Sequence, residues 1–149
     1  MTNEQSMVRE FHRQFGCTIN DKPTWPIDAD RKLRVQLIEE ECGELWQAET
    51  VTEVADALGD LLYVVLGSAV CCGIDIEPIF REIHRSNMSK LWTSREVLEQ
   101  LPKQHSYSPG LQADMDAKTQ CVKNSAGKVI KSPSYSRANL EPIIREQLK

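Results

Sequence analysis

Two acidic sets buried in apolar sequence between Arg31 and Val70 constrain this chain more than anything else in it. The first is Glu39-Glu40-Glu41-Cys42-Gly43-Glu44, four carboxylates in six residues, flanked by Leu37, Ile38, Leu45 and Trp46. The second, Glu53, Asp56 and Asp60, runs straight into Leu61-Leu62-Tyr63-Val64-Val65-Leu66. An ordinary solvated face does not interleave its acids with so many large apolar side chains. The pattern predicts two acidic helix faces aimed inward at something positive.

Spacing sets the helices. One runs over about 30–49, with Asp28 or Asp30 as its cap and Leu33, Leu37, Ile38, Leu45 and Ala48 toward the core. At about 100° per residue, Glu40, Glu41 and Glu44 share one arc, and Glu39 falls outside it. Thr50-Val51-Thr52 is a tight connection with Thr52 as the next N-cap. The following helix spans about 53–72 and ends at Gly73. Glu53, Asp56 and Asp60 share an arc of it, and its second half is apolar on nearly all sides, which predicts a central, buried helix. A connection this short makes the two helices antiparallel neighbours, so the acidic arcs face each other. Cys42, Gly43, Ala55, Ala57 and Gly59, small residues between the acids, predict close helix contact.

The rest of the chain frames this pair. Met7, Val8, Phe11 and Phe15 form one apolar stripe on a helix over 3–16, stopped by Gly16. Residues 17–28 are a loop in which Trp25 caps the core. Asp75 caps a helix over about 76–91, with Pro78 in its first turn and Asn87 beside Lys90 at i, i+3. Beyond 93 the chain turns polar, with a brief helix at 94–100 and a loop over 102–127. Cys121–Asn124 and Lys128–Lys131 then form a hairpin about Ser125-Ala126-Gly127, and a last helix runs over 137–147. The reading is all-α, with a helical catalytic core over 1–92 and an irregular C-terminal extension over 93–149.

Composition narrows the chemistry. The net charge of −4 argues against a nucleic-acid partner met through a basic surface. Five cysteines without paired spacing give no zinc motif and predict free thiols in a reduced, cytoplasmic protein. The longest nearly uncharged stretch, 61–74, is short of the roughly 20 residues of a membrane span. Gathering five or six carboxylates is costly: at about 4 Å one like-charge pair repels by roughly 4 kcal/mol at an effective dielectric near 20. Several such pairs rival a whole fold's stability of about 5–15 kcal/mol. Mg²⁺ or Mn²⁺, hard cations that take oxygen ligands and leave room for water and phosphate, would relieve it. The structural alternative is an acidic surface salt-bridged to Arg31, Lys32 and Arg34.

Glu40-Glu41-Cys42-Gly43-Glu44 resembles the EExxE motif of the MazG-like all-α nucleoside triphosphate pyrophosphohydrolases. Ala55 to Val65 resembles their second motif, ExxD before an apolar run. His84-Arg85-Ser86-Asn87-Met88-Ser89-Lys90-Leu91 resembles the segment that closes the nucleotide site in short phage and bacterial members, with a weaker echo at Gly127–Lys131. The resemblance covers roughly residues 5–92 and implies a four-helix MazG-like bundle. With Asp60 as the Asp of ExxD, Ala57 stands at the Glu position, so the missing acid must be Asp56 or Glu53. The resemblance implies that Glu41, Glu44 and Asp60 hold one Mg²⁺ or Mn²⁺, with Glu40 and Asp56 helping to hold a second or third. Glu40 or Glu41 would deprotonate the attacking water, and Asn87, Lys90, Lys128 and Lys131 would contact phosphates or sugar. The expected reaction takes a (deoxy)nucleoside triphosphate to the monophosphate and pyrophosphate. A purine, dGTP or GTP, leads over dUTP, dCTP and phosphoribosyl-ATP, because several tryptophans accompany an open tail rather than a pyrimidine pocket. A non-catalytic helical assembly module is the rival from another class. A homodimer or dimer of dimers is expected, as in the family and because four short helices would leave the apolar half of the third partly uncovered.

Overall fold

The computed structural model describes residues 1–104, 119–124 and 126–149. In chain order these form α1 (Asn3–Phe15), α2 (Asp28–Gln47), α3 (Val51–Cys71), α4 (Ile76–Met88), β1 (Trp92–Thr93), α5 (Ser94–Gln104), β2 (Thr119–Gln120) and α6 (Glu141–Gln147). The all-α expectation is borne out. The chain gathers into two compact units, residues 1–79 with 140–149, and residues 80–139.

In the first unit α3 packs against both α1 and α2. It starts two residues earlier than the sequence suggested, because Thr50 rather than Thr52 is the cap. The Thr50 hydroxyl accepts from Glu53 N at 3.2 Å while the Glu53 carboxylate accepts from Thr50 N at 3.0 Å, a reciprocal capping box. α2 starts at Asp28, and neither Asp28 nor Asp30 caps it: both lie in its first turn, behind Ile27. α1 ends as expected at Gly16, whose φ of 68° is left-handed. Asp75 caps α4 through a 3.2 Å bond from Glu77 N.

Burial departs from the apolar pattern. The inward face of α1 is Gln5, Val8 and His12, while Met7, Phe11 and Phe15 are exposed. Gln5 is tied to the α3–α4 connection, donating to Ile74 O at 2.6 Å and accepting from Ile76 N at 3.2 Å. Its burial therefore leaves no polar group unsatisfied. The second half of α3 is not buried on all sides. Leu66, Gly67 and Ala69–Cys71 are buried among α1 and its flanking loop, but Leu62 and Val65 face outward. The small residues mislead too. Cys42 and Ala55 are exposed, and a side chain at Gly43 or Gly59 would meet nothing; among the five only Ala57 is buried. Trp25 does not cap the core either. It is 78% exposed, with the Arg31 guanidinium 5.7 Å from its ring. By length and composition α3 is apolar enough to cross a bilayer. It packs against α1 and α2, and a third of that apolar stretch is buried. All five cysteines carry free thiols.

The second unit is built around Trp92, fully buried with Val97 and Val122 and donating its indole N–H to Ile130 O at 3.1 Å. β1 and β2 pair antiparallel, Trp92 opposite Gln120, a pairing the sequence reading lacked. The expected hairpin reduces to an antiparallel bridge, Lys123 to Val129, closed by Asn124 N to Lys128 O at 2.9 Å. α5 runs on to Gln104, past the brief helix expected, and α6 begins at Glu141 rather than 137. The loop expected over 102–127 falls largely outside the described residues. Glu82 anchors the unit's far end, accepting from Arg85 Nε and Nη2 and from Asn139 N, all at 2.8 Å. The Arg85 bonds foremost, then Asn139, hold its carboxyl at about 2, against an ordinary 4.5. A carboxylate held low adds stability above its ordinary value that drains as pH falls from 4.5 towards 2. Glu82→Gln is expected to flatten that acid slope, followed by the blue emission of buried Trp92 during urea unfolding at stepped pH.

Candidate active site

α2 and α3 are joined by 48–50 and packed together, so they run antiparallel. Their inward faces therefore meet in a fixed register. Glu41 acts electrostatically with Asp60 and Asp56 across the seam and with Glu40 and Glu44 on its own helix. Glu41 thus lies in the field of acids from both helices. Glu41 is half-buried and its Oε2 is buried without a hydrogen-bond partner, while Glu40, Glu44, Asp56 and Asp60 remain exposed. Burial first, then Glu44, Asp60, Glu40 and Asp56 in that order, raises the Glu41 carboxyl above the ordinary carboxylate range.

Glu53 does not join this cluster. Its Oε2 accepts from Glu49 N at 2.7 Å and Thr50 N at 3.0 Å, which keeps it charged and pinned to the helix start. Of the two acids available in place of Ala57, Asp56 is the one that reaches Glu41's field. A depression of about 300 Å³ opens beside it, lined by Glu44, Gln47, Ala48, Glu49, Glu53 and Asp56. Among the described residues no three His, Cys, Asp or Glu side chains already stand as a metal cage. The donor chemistry nevertheless suits a hard cation: an unpartnered buried carboxylate oxygen and four further carboxylates, all of them oxygen donors.

A second polar layer escaped the sequence reading. Arg34 precedes Glu41 by seven residues, and Gly67 follows Asp60 by seven, so the two lie opposite each other about 10 Å further along the seam. A Cβ on Gly67 would sit 2.9 Å from Arg34 Nη1 and 3.0 Å from His12 Nε2. His12 is 2% exposed, with Nδ1 2.9 Å from Thr18 O, and its pKa is lowered by burial, with Arg34 adding to the effect. The signal was present: Gln5, Val8 and His12 are spaced i, i+3, i+7.

The residues expected to touch substrate lie in the second unit. Lys90 Nζ donates to Asn87 Oδ1 at 2.6 Å. Lys131 Nζ sits 4.5 Å over the Tyr135 ring, and Lys128 is exposed in the hairpin turn. His84 is on the surface; of the tryptophans Trp46 is 90% exposed and Trp92 wholly buried.

The helical pair that brings Glu41 into the field of four other carboxylates lies wholly within the stretch that a known family's model matches. The chain belongs to the phosphoribosyl-ATP pyrophosphohydrolase family, whose model matches residues 8–87, and with it to the MazG-like superfamily. An uncharacterised protein of Acanthamoeba polyphaga mimivirus, L479, is 41% identical over 83 residues, covering 51% of this chain and 33% of the relative. The chain spans about a third of the length of that curated relative.

Proposed function

We propose that this chain hydrolyses a (deoxy)nucleoside triphosphate, dGTP or GTP foremost, to the monophosphate and pyrophosphate, using Mg²⁺ or Mn²⁺. Glu41 carries the reading: the repulsion on a carboxylate with an orphaned buried oxygen among four other acids is relieved when divalent cations share it. Glu41, Glu44 and Asp60 would hold one ion, and Glu40 and Asp56 a second. Bound cations supply charge neutralisation for the triphosphate and activation of water. Glu40 or Glu41 accepts a proton from that water. Its oxygen bonds to the α-phosphorus as the bond from that phosphorus to the α–β bridging oxygen breaks, and pyrophosphate leaves. Asn87, Lys90, Lys128 and Lys131 are assigned to phosphates and sugar, and the open indoles of Trp25 and Trp46 favour a stacked base. Phe15, Leu58, Leu62 and Val65, exposed on the single chain, support a homodimer or dimer of dimers. The free thiols agree with a cytoplasmic setting.

A second reading, hydrolysis of phosphoribosyl-ATP, is favoured by the family description. Pyrophosphate release from dGTP, GTP, dUTP, dCTP and phosphoribosyl-ATP separates the two. The expected result is turnover of dGTP or GTP above the others with Mg²⁺ or Mn²⁺ and none in EDTA. Turnover of phosphoribosyl-ATP alone selects the second reading. Silence on every substrate rejects both.

A further inference from the structure

One antiparallel register governs both polar layers of the α2–α3 seam. A Cβ on Gly67 would fall 2.9 Å from Arg34 Nη1, so the guanidinium lies against Gly67. Glu41 follows Arg34 by seven residues, and Asp60 precedes Gly67 by seven. In antiparallel helices two turns forward on one are two turns back on the other. The register that pairs Arg34 with Gly67 therefore pairs Glu41 with Asp60, about 10 Å away. Where the first pair sits decides how closely the acids of the second approach.

The first pair is built to hold one position. Arg34 needs a gap in the facing helix, and Gly67 provides it. A slip by one helical turn, about 5.4 Å, would set the guanidinium against Tyr63 or Val64 in one direction and Val70 or Cys71 in the other. Each of these carries a side chain where Gly67 has none. The other glycine of α3, Gly59, is two turns away and borders open space. The layer is also tied to α1. His12, 2% exposed, brings Nε2 within 3.0 Å of the same Cβ position and holds Nδ1 2.9 Å from Thr18 O. Thr18 Oγ1 in turn donates to Asp30 Oδ1 at 3.1 Å, one turn before Arg34 on α2. Arg34 Nε is buried without a hydrogen-bond partner, so the space around this side chain places it. The acidic layer has the opposite tendency. Facing carboxylates push the two helices apart, or along each other, until a cation joins them.

We infer that Arg34, Gly67 and His12 are positioning residues: they fix the α2–α3 register and so hold Glu41 and Asp60 together as one cation-binding pair. Their role rests on the metal-dependent hydrolysis proposed above, in which none of the three is a ligand.

Mn²⁺ titration of the whole chain, read from the EPR signal of the free ion, tests this without turnover. Wild type is expected to bind, and Gly67→Ala and Arg34→Ala to bind roughly tenfold or more weakly, the usual loss when a group that orients metal ligands is removed. The double variant Gly67→Ala/Arg34→Lys should recover affinity towards wild type. Its compact ammonium leaves room for the added methyl and keeps a cation in the layer, a recovery that general destabilisation would not give. Gly16→Ala strains the backbone away from this layer and should bind like wild type. Equal affinity in wild type, Gly67→Ala and Arg34→Ala overturns the positioning role and leaves the metal site standing. So does a loss in Gly16→Ala as large as that in Gly67→Ala. No Mn²⁺ binding by wild type overturns the hydrolytic reading, and this role with it.

Discussion

Glu41→Gln is expected to lower pyrophosphate release by roughly a hundred- to a thousandfold, the usual cost of one charged group that acts on the reacting centre, while raising the melting temperature in EDTA. The two effects have one cause. Glu41 is pressed into the seam between α2 and α3 with Oε2 unpartnered and four acids around it. An amide of the same shape removes that repulsion and also the ligand. The pH dependence follows from the raised carboxyl. The folded state keeps this proton to higher pH than the unfolded chain, so stability from this group is full below the ordinary Glu range and is lost as pH rises through it. Metal-free protein should therefore melt lower as pH climbs past that range, and Glu41→Gln should abolish the trend. Saturating Mn²⁺ should raise the melting temperature of wild type far more than that of the variant. Asp60→Asn should repeat the pattern from the facing helix. Full turnover in both variants would sink the metal-site assignment.

The acidic seam was legible in the sequence because it is periodic. Glu41 and Glu44 repeat at helical spacing, Asp56 and Asp60 do the same, and a three-residue connection leaves antiparallel packing as the economical arrangement. What was not legible was set by competition between neighbours. Glu53 shares Asp60's arc, yet two backbone N–H groups at the helix start claim its carboxylate. Thr50 and Thr52 are equally good caps in isolation; only the Glu53 partnership selects Thr50. Gly43 and Gly59 read as contact points because small residues suit close helices, but a side chain at either would meet open space. The apolar stripe of α1 misled for a related reason. Once Gln5 and His12 find buried backbone partners, the helix settles on a polar-edged face and leaves Phe11 stacked on Phe15 at 4.2 Å at the surface. The Lys131–Tyr135 contact lies within a segment without periodicity, so nothing short of the folded loop reveals it.

Gly73→Ala is expected to cost more than about 4 kcal/mol, enough to deplete folded protein. Gly73 has a φ of +66°, and a left-handed non-glycine residue alone costs about 1–2 kcal/mol. The larger cost is steric. Its Cβ would fall 2.2 Å from Lys22 O and 2.6 Å from Lys22 C, both backbone atoms that no rotamer change can move aside. The segment 20–24 would have to lift off the end of α3. That would put at risk Asn20 Nδ2 to Cys71 O at 2.6 Å, Thr24 N to Cys72 O at 2.9 Å and Asn20 N to Val70 O at 3.3 Å. Each buried group left without its partner costs about 1–3 kcal/mol. Gly16→Ala is the matched control. Its φ of +68° is nearly the same, but its Cβ meets nothing within 4 Å, so urea unfolding should report a loss of only about 1–2 kcal/mol. The gap between the two variants isolates the packing of the 17–28 loop on α3 from backbone strain. Equal losses would mean that this loop does not close over Gly73. The same loop carries Trp25, so a variant that folds with the loop displaced should also show weakened nucleotide binding while retaining Mn²⁺ binding at the acidic seam.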